Sequence, residues 1–142
     1  MGFRLEVVTP EKQLFSGDVD AVLAPGAEGQ LGILPRHAPL MSILTEGELV
    51  ARRGEEELSF AIYGGFIQVL PDRVIVLADV GERADEVDAE QAERARREAE
   101  ALLQKEPSPA LRAEALMALR KAQLRLRVAQ RHRPRRPAGE AS

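Results

Sequence analysis

From Phe3 to Leu77 the apolar residues recur mostly with a period of two. Phe3, Leu5 and Val7 alternate with Arg4 and Glu6, Val19, Ala21 and Leu23 follow Asp18 and Asp20, and Leu58, Phe60 and Ile62 alternate with Glu57 and Ser59. That alternation predicts strands buried on one face. Further apolar runs at 40–44, 66–70 and 74–78, and a mixed run at 48–52, are separated by Glu46-Gly47, Arg53-Gly54, Gly64-Gly65 and Pro71-Asp72. A turn signal roughly every eight to twelve residues predicts an antiparallel β-sandwich or barrel.

After Gly81 the period changes. Asp88 is placed to cap a helix, with Gln91 three positions on as its capping-box partner, and Ala92, Ala95, Ala99, Leu102 and Leu103 follow along one face. Pro107-Ser108-Pro109 ends that helix, and Ser108 is the natural N-cap of a second one running to about Gln130. Its stripe is Leu111, Ala115, Ala118, Ala122 and Ala129, flanked by Leu116, Leu119 and Leu126. Two helices joined so tightly form an αα-hairpin. Its alanine-dominated seam buries little per residue compared with the roughly 1.5–3 kcal/mol of a buried leucine, which leaves two expectations, a hairpin that opens and a stable alanine hairpin docked on the sandwich.

Between the second and third predicted strand runs lies the segment 24–40, APGAEGQLGILPRHAPL, with three Gly, three Pro and a His. Such density predicts a loop shaped by its backbone, with Gly26, Gly29 and Gly32 free to take positive φ and Pro25, Pro35 and Pro39 held near −65°.

Charge divides the chain at the same point as periodicity. Residues 1–87 carry 7 Lys/Arg against 15 Asp/Glu, and residues 88–142 carry 13 against 8, so the halves hold −8 and +5 and sum to −3. This opposition implies mutual docking or a basic module aimed at an acidic partner. There is no cysteine, which excludes disulfides, thiolate metal sites and thiol nucleophiles. No apolar run reaches signal-peptide or membrane-spanning length, so the expectation is a soluble protein of the cytosolic side.

Candidates for catalysis are thin. His37 and His132 are the histidines, Tyr63 the lone tyrosine, and no Ser sits in a G-x-S-x-G elbow. The glycines at 26, 29 and 32 lack the Lys-Ser/Thr pair of a phosphate loop. The second helix and the residues C-terminal to it are strongly basic, with Arg112, Arg120, Lys121, Arg125 and Arg127 opposed within the helix by Glu114. A nucleic-acid backbone would neutralise such charge. Yet the helix has no aromatic residue for stacking, and the acidic first module would repel phosphates. An acidic protein surface fits the same charges without that conflict.

The string LFSGDVDAVLAPGAEGQLGILPRHAPL from Leu14 to Leu40, followed by Gly64-Gly65-Phe66 and Val76-Leu77-Ala78-Asp79, resembles the ε subunit of bacterial F-type ATP synthase. The resemblance covers nearly the whole chain. It implies a β-sandwich of about ten strands at residues 1–86 that grips the γ subunit and rests on the c-ring and a regulatory αα-hairpin at 87–131; the basic tail at 132–142, with Pro134, Pro137 and Gly139, is expected from its composition to be disordered. By the same resemblance Glu28, Gly29, Gln30, Gly32, Arg36 and His37 face the c-ring loops, and the protein is a noncatalytic subunit held at the cytoplasmic face of the bacterial membrane through the proton-translocating complex.

The resemblance also implies that the hairpin extends along γ into the α/β head, where basic residues meet acidic segments and block hydrolysis. At matching positions, Arg112, Arg120, Lys121, Arg125 and Arg127 form this stripe. Screened surface pairs are worth only about 0–1 kcal/mol each, so several must act together. Some relatives bind ATP through an I/L-D-x-x-R-A motif. Here Asp88 and Ala92 are retained, with Lys121 and Arg125 as further cationic candidates. Gln91 replaces the arginine, however, and Glu98 stands where a second arginine would help, so weak or absent ATP binding and no cofactor are expected. The alternatives are an ATP-sensing hairpin, which lacks those arginines, and a basic nucleic-acid-binding protein.

Overall fold

The computed structural model describes residues 2–132. Eight strands come first: β1 (Phe3–Val8), β2 (Gln13–Val19), β3 (Ala21–Gly26), β4 (Gly29–Ile33), β5 (Leu40–Arg53), β6 (Glu56–Val69), β7 (Arg73–Ala78) and β8 (Gly81–Arg83). A 3-10 turn (Ala84–Glu86) then leads into α1 (Ala89–Gln104) and α2 (Pro109–His132). The expected disordered tail at 132–142 lies outside the described residues, apart from the backbone of His132 in α2.

The strands run in the order β2-β1-β7-β6-β5-β3-β4, with β8 added to β6. The expectation of about ten strands is corrected to eight among the described residues. Glu46-Gly47 and Gly64-Gly65 do not end strands but bend them, so four predicted runs merge into the 14-residue β5 and β6. These bends face one another, since Leu44 pairs with Gly65 and Glu46 with Tyr63. One side of the bend pairs with β7 and the other with β3 and β8, which lets the same two strands serve both layers of the sandwich. The fully antiparallel expectation is also corrected, because β1 and β7 pair in parallel.

Glycine is required at the bend. Gly64 and Gly65 have φ of +87° and +132°, and a Cβ on Gly65 would lie 2.1 Å from the Leu77 carbonyl oxygen. No side chain larger than hydrogen fits there.

Between the layers lies one core in which Leu5, Val7, Leu49, Ile62, Ile67 and Val76 are completely buried. The alternation at Phe3, Leu5 and Val7 faces inward as predicted. The run Val19, Ala21, Leu23 is not one strand. Asp20 makes a corner there, its backbone N–H donating to Arg52 and its carboxylate accepting from Gly54. The corner resets the phase, so Val22 and Ala24 point inward and Leu23 is turned out.

The glycine- and proline-rich segment is not a single loop either. Its first part forms the β3–β4 hairpin with a two-residue turn at Ala27-Glu28. Pro25 is accommodated because the β3–β5 ladder is irregular between Leu23 and Gly26, where no regular donor is needed. Gly29 takes positive φ, whereas Gly26 and Gly32 do not.

Candidate functional site

The hairpin lies folded against the sandwich, and its second helix makes the join. Leu124 and Val128 are buried against Ala61 of β6 and Ala84 of the 3-10 turn, with Tyr63 and Val87 around them. Burial on this side explains why Ala61 and Ile62 are both fully covered although they point to opposite faces of β6. Ala92, Ala99, Ala115 and Ala122 are buried, consistent with the alanine seam between the helices. The predicted stripe is wrong at Leu111, Leu116 and Ala118, which are exposed, because the sandwich draws the buried side of α2 toward Leu124 and Val128.

Arg125 is the polar centre of this join. Its Nε donates to Glu82 Oε1 at 2.6 Å and its Nη2 to Oε2 at 3.4 Å, a two-point pairing with a carboxylate on β8. Its Nη1 also donates to Gln91 Oε1 of α1 at 3.4 Å. The guanidinium therefore ties together α1, α2 and the sandwich. Lys121, one turn earlier, sits with its ammonium 5.6 Å from the centre of the Tyr63 ring. Arg127 lines a cleft of about 450 Å³ with Glu46, Glu48 and Glu57.

Lys121, Arg125 and Arg127 thus lie toward the acidic sandwich, but only Arg125 is partly buried; Lys121 and Arg127 are exposed, as are Arg112 and Arg120. The opposed charges of the two halves are satisfied at least in part by docking.

Tyr63 has a buried hydroxyl with no hydrogen-bond partner. Burial foremost, then the Glu82 carboxylate, pushes its pKa up to about 12, with Arg125 pulling the other way. A neutral, unpaired hydroxyl in such a place costs about 1–3 kcal/mol relative to one that is solvated.

The linker is pinned separately. Lys12 Nζ donates to Glu86 Oε2 at 2.7 Å and the Arg83 N–H donates to Glu86 Oε1 at 3.1 Å. These hydrogen bonds hold the Glu86 carboxyl below its ordinary range.

The retained ATP-motif positions serve the helix itself. Asp88 Oδ1 accepts from the Gln91 N–H at 3.1 Å as the N-cap of α1, and Ala92 is fully buried. The predicted reciprocal arm of the capping box is not formed, because the Gln91 side chain accepts from Arg125 instead. Ser108 caps α2 as predicted, accepting from the Leu111 N–H at 3.3 Å. Among the described residues no group of three His, Asp or Glu side chains is positioned to hold a metal.

The loop residues separate into two places. Glu28, Gly29 and Gln30 occupy the tip of the β3–β4 hairpin, and Arg36 and His37 form a turn at the other end of β4. In that turn the His37 N–H donates to the Leu34 carbonyl at 3.2 Å, with Pro35 second and Arg36 third at φ of +62°. His37 Nδ1 lies 2.7 Å from its neighbour's carbonyl, which only accepts, so Nδ1 carries the proton. Gly32 lies between the two sites, with its outward side against Leu23.

A surface that periodicity did not flag lies on β5, β6 and β7. Ile43 pairs with Phe66 and Phe66 with Leu77, and these side chains are 58%, 51% and 52% exposed. Met41, two residues from Ile43, is 66% exposed, and Val8 of β1 continues the row beside Leu77. The signal was present in the sequence as unbroken apolar runs such as Val74–Ala78, which denote strands apolar on both faces.

Residues 2–84 match the family described as ATP synthase, Delta/Epsilon chain, beta-sandwich domain. The ATP synthase epsilon chain of Dehalococcoides mccartyi is 50% identical over 131 residues, covering 92% of this chain and 94% of that one. That of Chloroflexus aurantiacus is 52% identical over 136 residues, covering 96% and 98%. A chain in the cryo-EM structure of the Euglena gracilis mitochondrial ATP synthase, OSCP/F1/c-ring, superposes with a TM-score of 0.72 at 26% identity, covering 86% of this chain and 78% of that one. From the bent sandwich to the helical hairpin, then, the chain belongs to the epsilon-chain family of ATP synthase, whose members are noncatalytic subunits of that enzyme.

Proposed function

We propose that this chain is a rotor element of the central stalk that links γ to the c-ring and restrains ATP hydrolysis through its helical hairpin. The observation that carries the reading is the apolar row Ile43–Phe66–Leu77, because a contiguous exposed apolar face on a small soluble fold marks a protein interface. In this reading the row attaches to γ. The hairpin tip at Glu28 to Gln30 and the turn at Arg36-His37 supply polar contacts to the c-ring. Gln30 offers a hydrogen bond there but no ion pair.

The brake is the basic stripe Arg112, Arg120, Lys121, Arg125 and Arg127, presented to acidic segments of the β subunits when the hairpin extends. ATP binding contributes little, since Gln91 brings no positive charge to the α1 N-terminus and its side chain is engaged with Arg125. The subunit sits at the cytoplasmic face of the bacterial membrane through the complex alone.

The test is the ATPase rate of the matching α, β and γ complex, alone, with the full chain, and with the chain cut after Asp88. Binding by both forms with inhibition by the full chain only supports the reading. Binding without inhibition reduces the protein to a coupling link, and no binding overturns the reading.

A further inference from the structure

We propose that Glu82 is an internal competitor for Arg125, a latch on β8 that holds α2 on the sandwich and so limits how much of the basic stripe is free to meet any other acidic surface. Three observations carry this. The pair is the most sheltered among the described ion pairs, with side-chain exposures of 15% and 24%. Every other described pair has both partners at least 30% exposed. Sheltered charges are screened least by water and salt, so this pair acts more strongly than its surface counterparts.

Second, the apolar part of the join is small. It rests on Leu124 and Val128 against two alanines, Ala61 and Ala84, and it leaves the Tyr63 hydroxyl buried without a partner. The polar contact therefore has a large share in deciding whether α2 stays down. Third, geometry makes the two fates of Arg125 exclusive. Three of its five N–H donors are used by Glu82 and Gln91 and the side chain is only 15% exposed in the join, so Arg125 reaches an acidic surface on another protein only when α2 lifts away.

Neutralising Glu82 removes the attraction and leaves the Arg125 charge half-buried without its counter-ion, a state relieved by undocking. The latch stands on these contacts alone; its consequence for hydrolysis rests on the braking role argued above.

The absence of cysteine allows a clean distance measurement on the full chain. Spin labels at Asp18→Cys on β2 and Gln123→Cys on α2, both exposed, report docking as a single narrow distance. Glu82→Gln should raise the undocked fraction about tenfold. Glu82→Arg and Arg125→Glu should each undock the helix, and the two together should restore the narrow distance. An unchanged distribution in Glu82→Gln, or a double variant no better docked than either single, overturns the latch, and the rescue distinguishes release from failure to fold. In the α, β and γ complex, Glu82→Gln should inhibit hydrolysis more strongly than the parent chain. Undocking without stronger inhibition upholds the latch and overturns the braking role instead.

Discussion

Phe66 lies between Ile43 and Leu77 in the sheet, paired with each across a strand boundary, and all three side chains stand on the solvent side while Ile67 beside them is completely buried. The central strands are therefore apolar on both faces. One face makes the core and the other is left for a partner.

Replacing Phe66 with Ser should weaken attachment of the full chain to the α, β and γ complex by about 30-fold or more, the scale of an aromatic anchor at the centre of an interface. Its melting temperature should change little, since the ring is already half in water. Equal affinity for the two proteins would remove this row from the interface.

Gly65→Ala should unfold the sandwich more readily, by about 2–4 kcal/mol in denaturant titration. The added Cβ meets the Leu77 carbonyl oxygen at 2.1 Å, and the φ of +132° is strained for any other residue. Gly54→Ala is the contrast: it shares a positive φ but has open space around it, so its penalty should be smaller.

Tyr63→Phe deletes the buried, unpartnered hydroxyl and keeps the ring beneath Lys121. Docking of α2 should strengthen by about 1 kcal/mol, read as slower amide exchange along Leu124–Val128. Faster exchange would show that the hydroxyl contributes to the join rather than opposing it.

The pH response depends on Tyr63 and Glu86. The raised tyrosine value means the docked state keeps its proton when the undocked one has lost it, so this contribution is intact below about pH 10 and fades as pH rises toward about 12. Because Tyr63 is the only tyrosine, its ultraviolet titration reads the effect directly, with a midpoint near 12 in the parent chain that moves down toward the ordinary tyrosine value of 10.0 once α2 is undocked. Glu86 works in the opposite sense. Its contribution is present above the ordinary value of 4.5 and is lost as pH falls below it, so acid should loosen the linker, and Lys12→Met should reduce that acid dependence while the Arg83 N–H keeps part of it.

How far the fold could be read from sequence differs by element. Strand β1, both helices and the caps at Asp88 and Ser108 depend on neighbours within a few residues, so periodicity and capping chemistry sufficed. The motif from Leu14 to Leu40 likewise carried the family resemblance. Strand number did not emerge from such signals. A glycine pair reads as a turn, yet at Gly64-Gly65 it became a bend because β5 pairs with β6 on both sides of it, while β7 pairs beyond it and β8 before it. The same holds for Pro25, which entered β3 because an irregular ladder left its missing N–H harmless.

The site divides in the same way. The chain alone determined that its second half is basic, that its first half is acidic and that α2 carries a charged stripe. Only the folded molecule decided which of those charges meet. Arg125 and Glu82 are 43 residues apart, and no local pattern relates them. Their pairing exists because β8 pairs with the edge of β6 in a register that sets Glu82 opposite Ala61, on the face that α2 covers, and a two-point contact between charges depends on that three-dimensional approach rather than on composition.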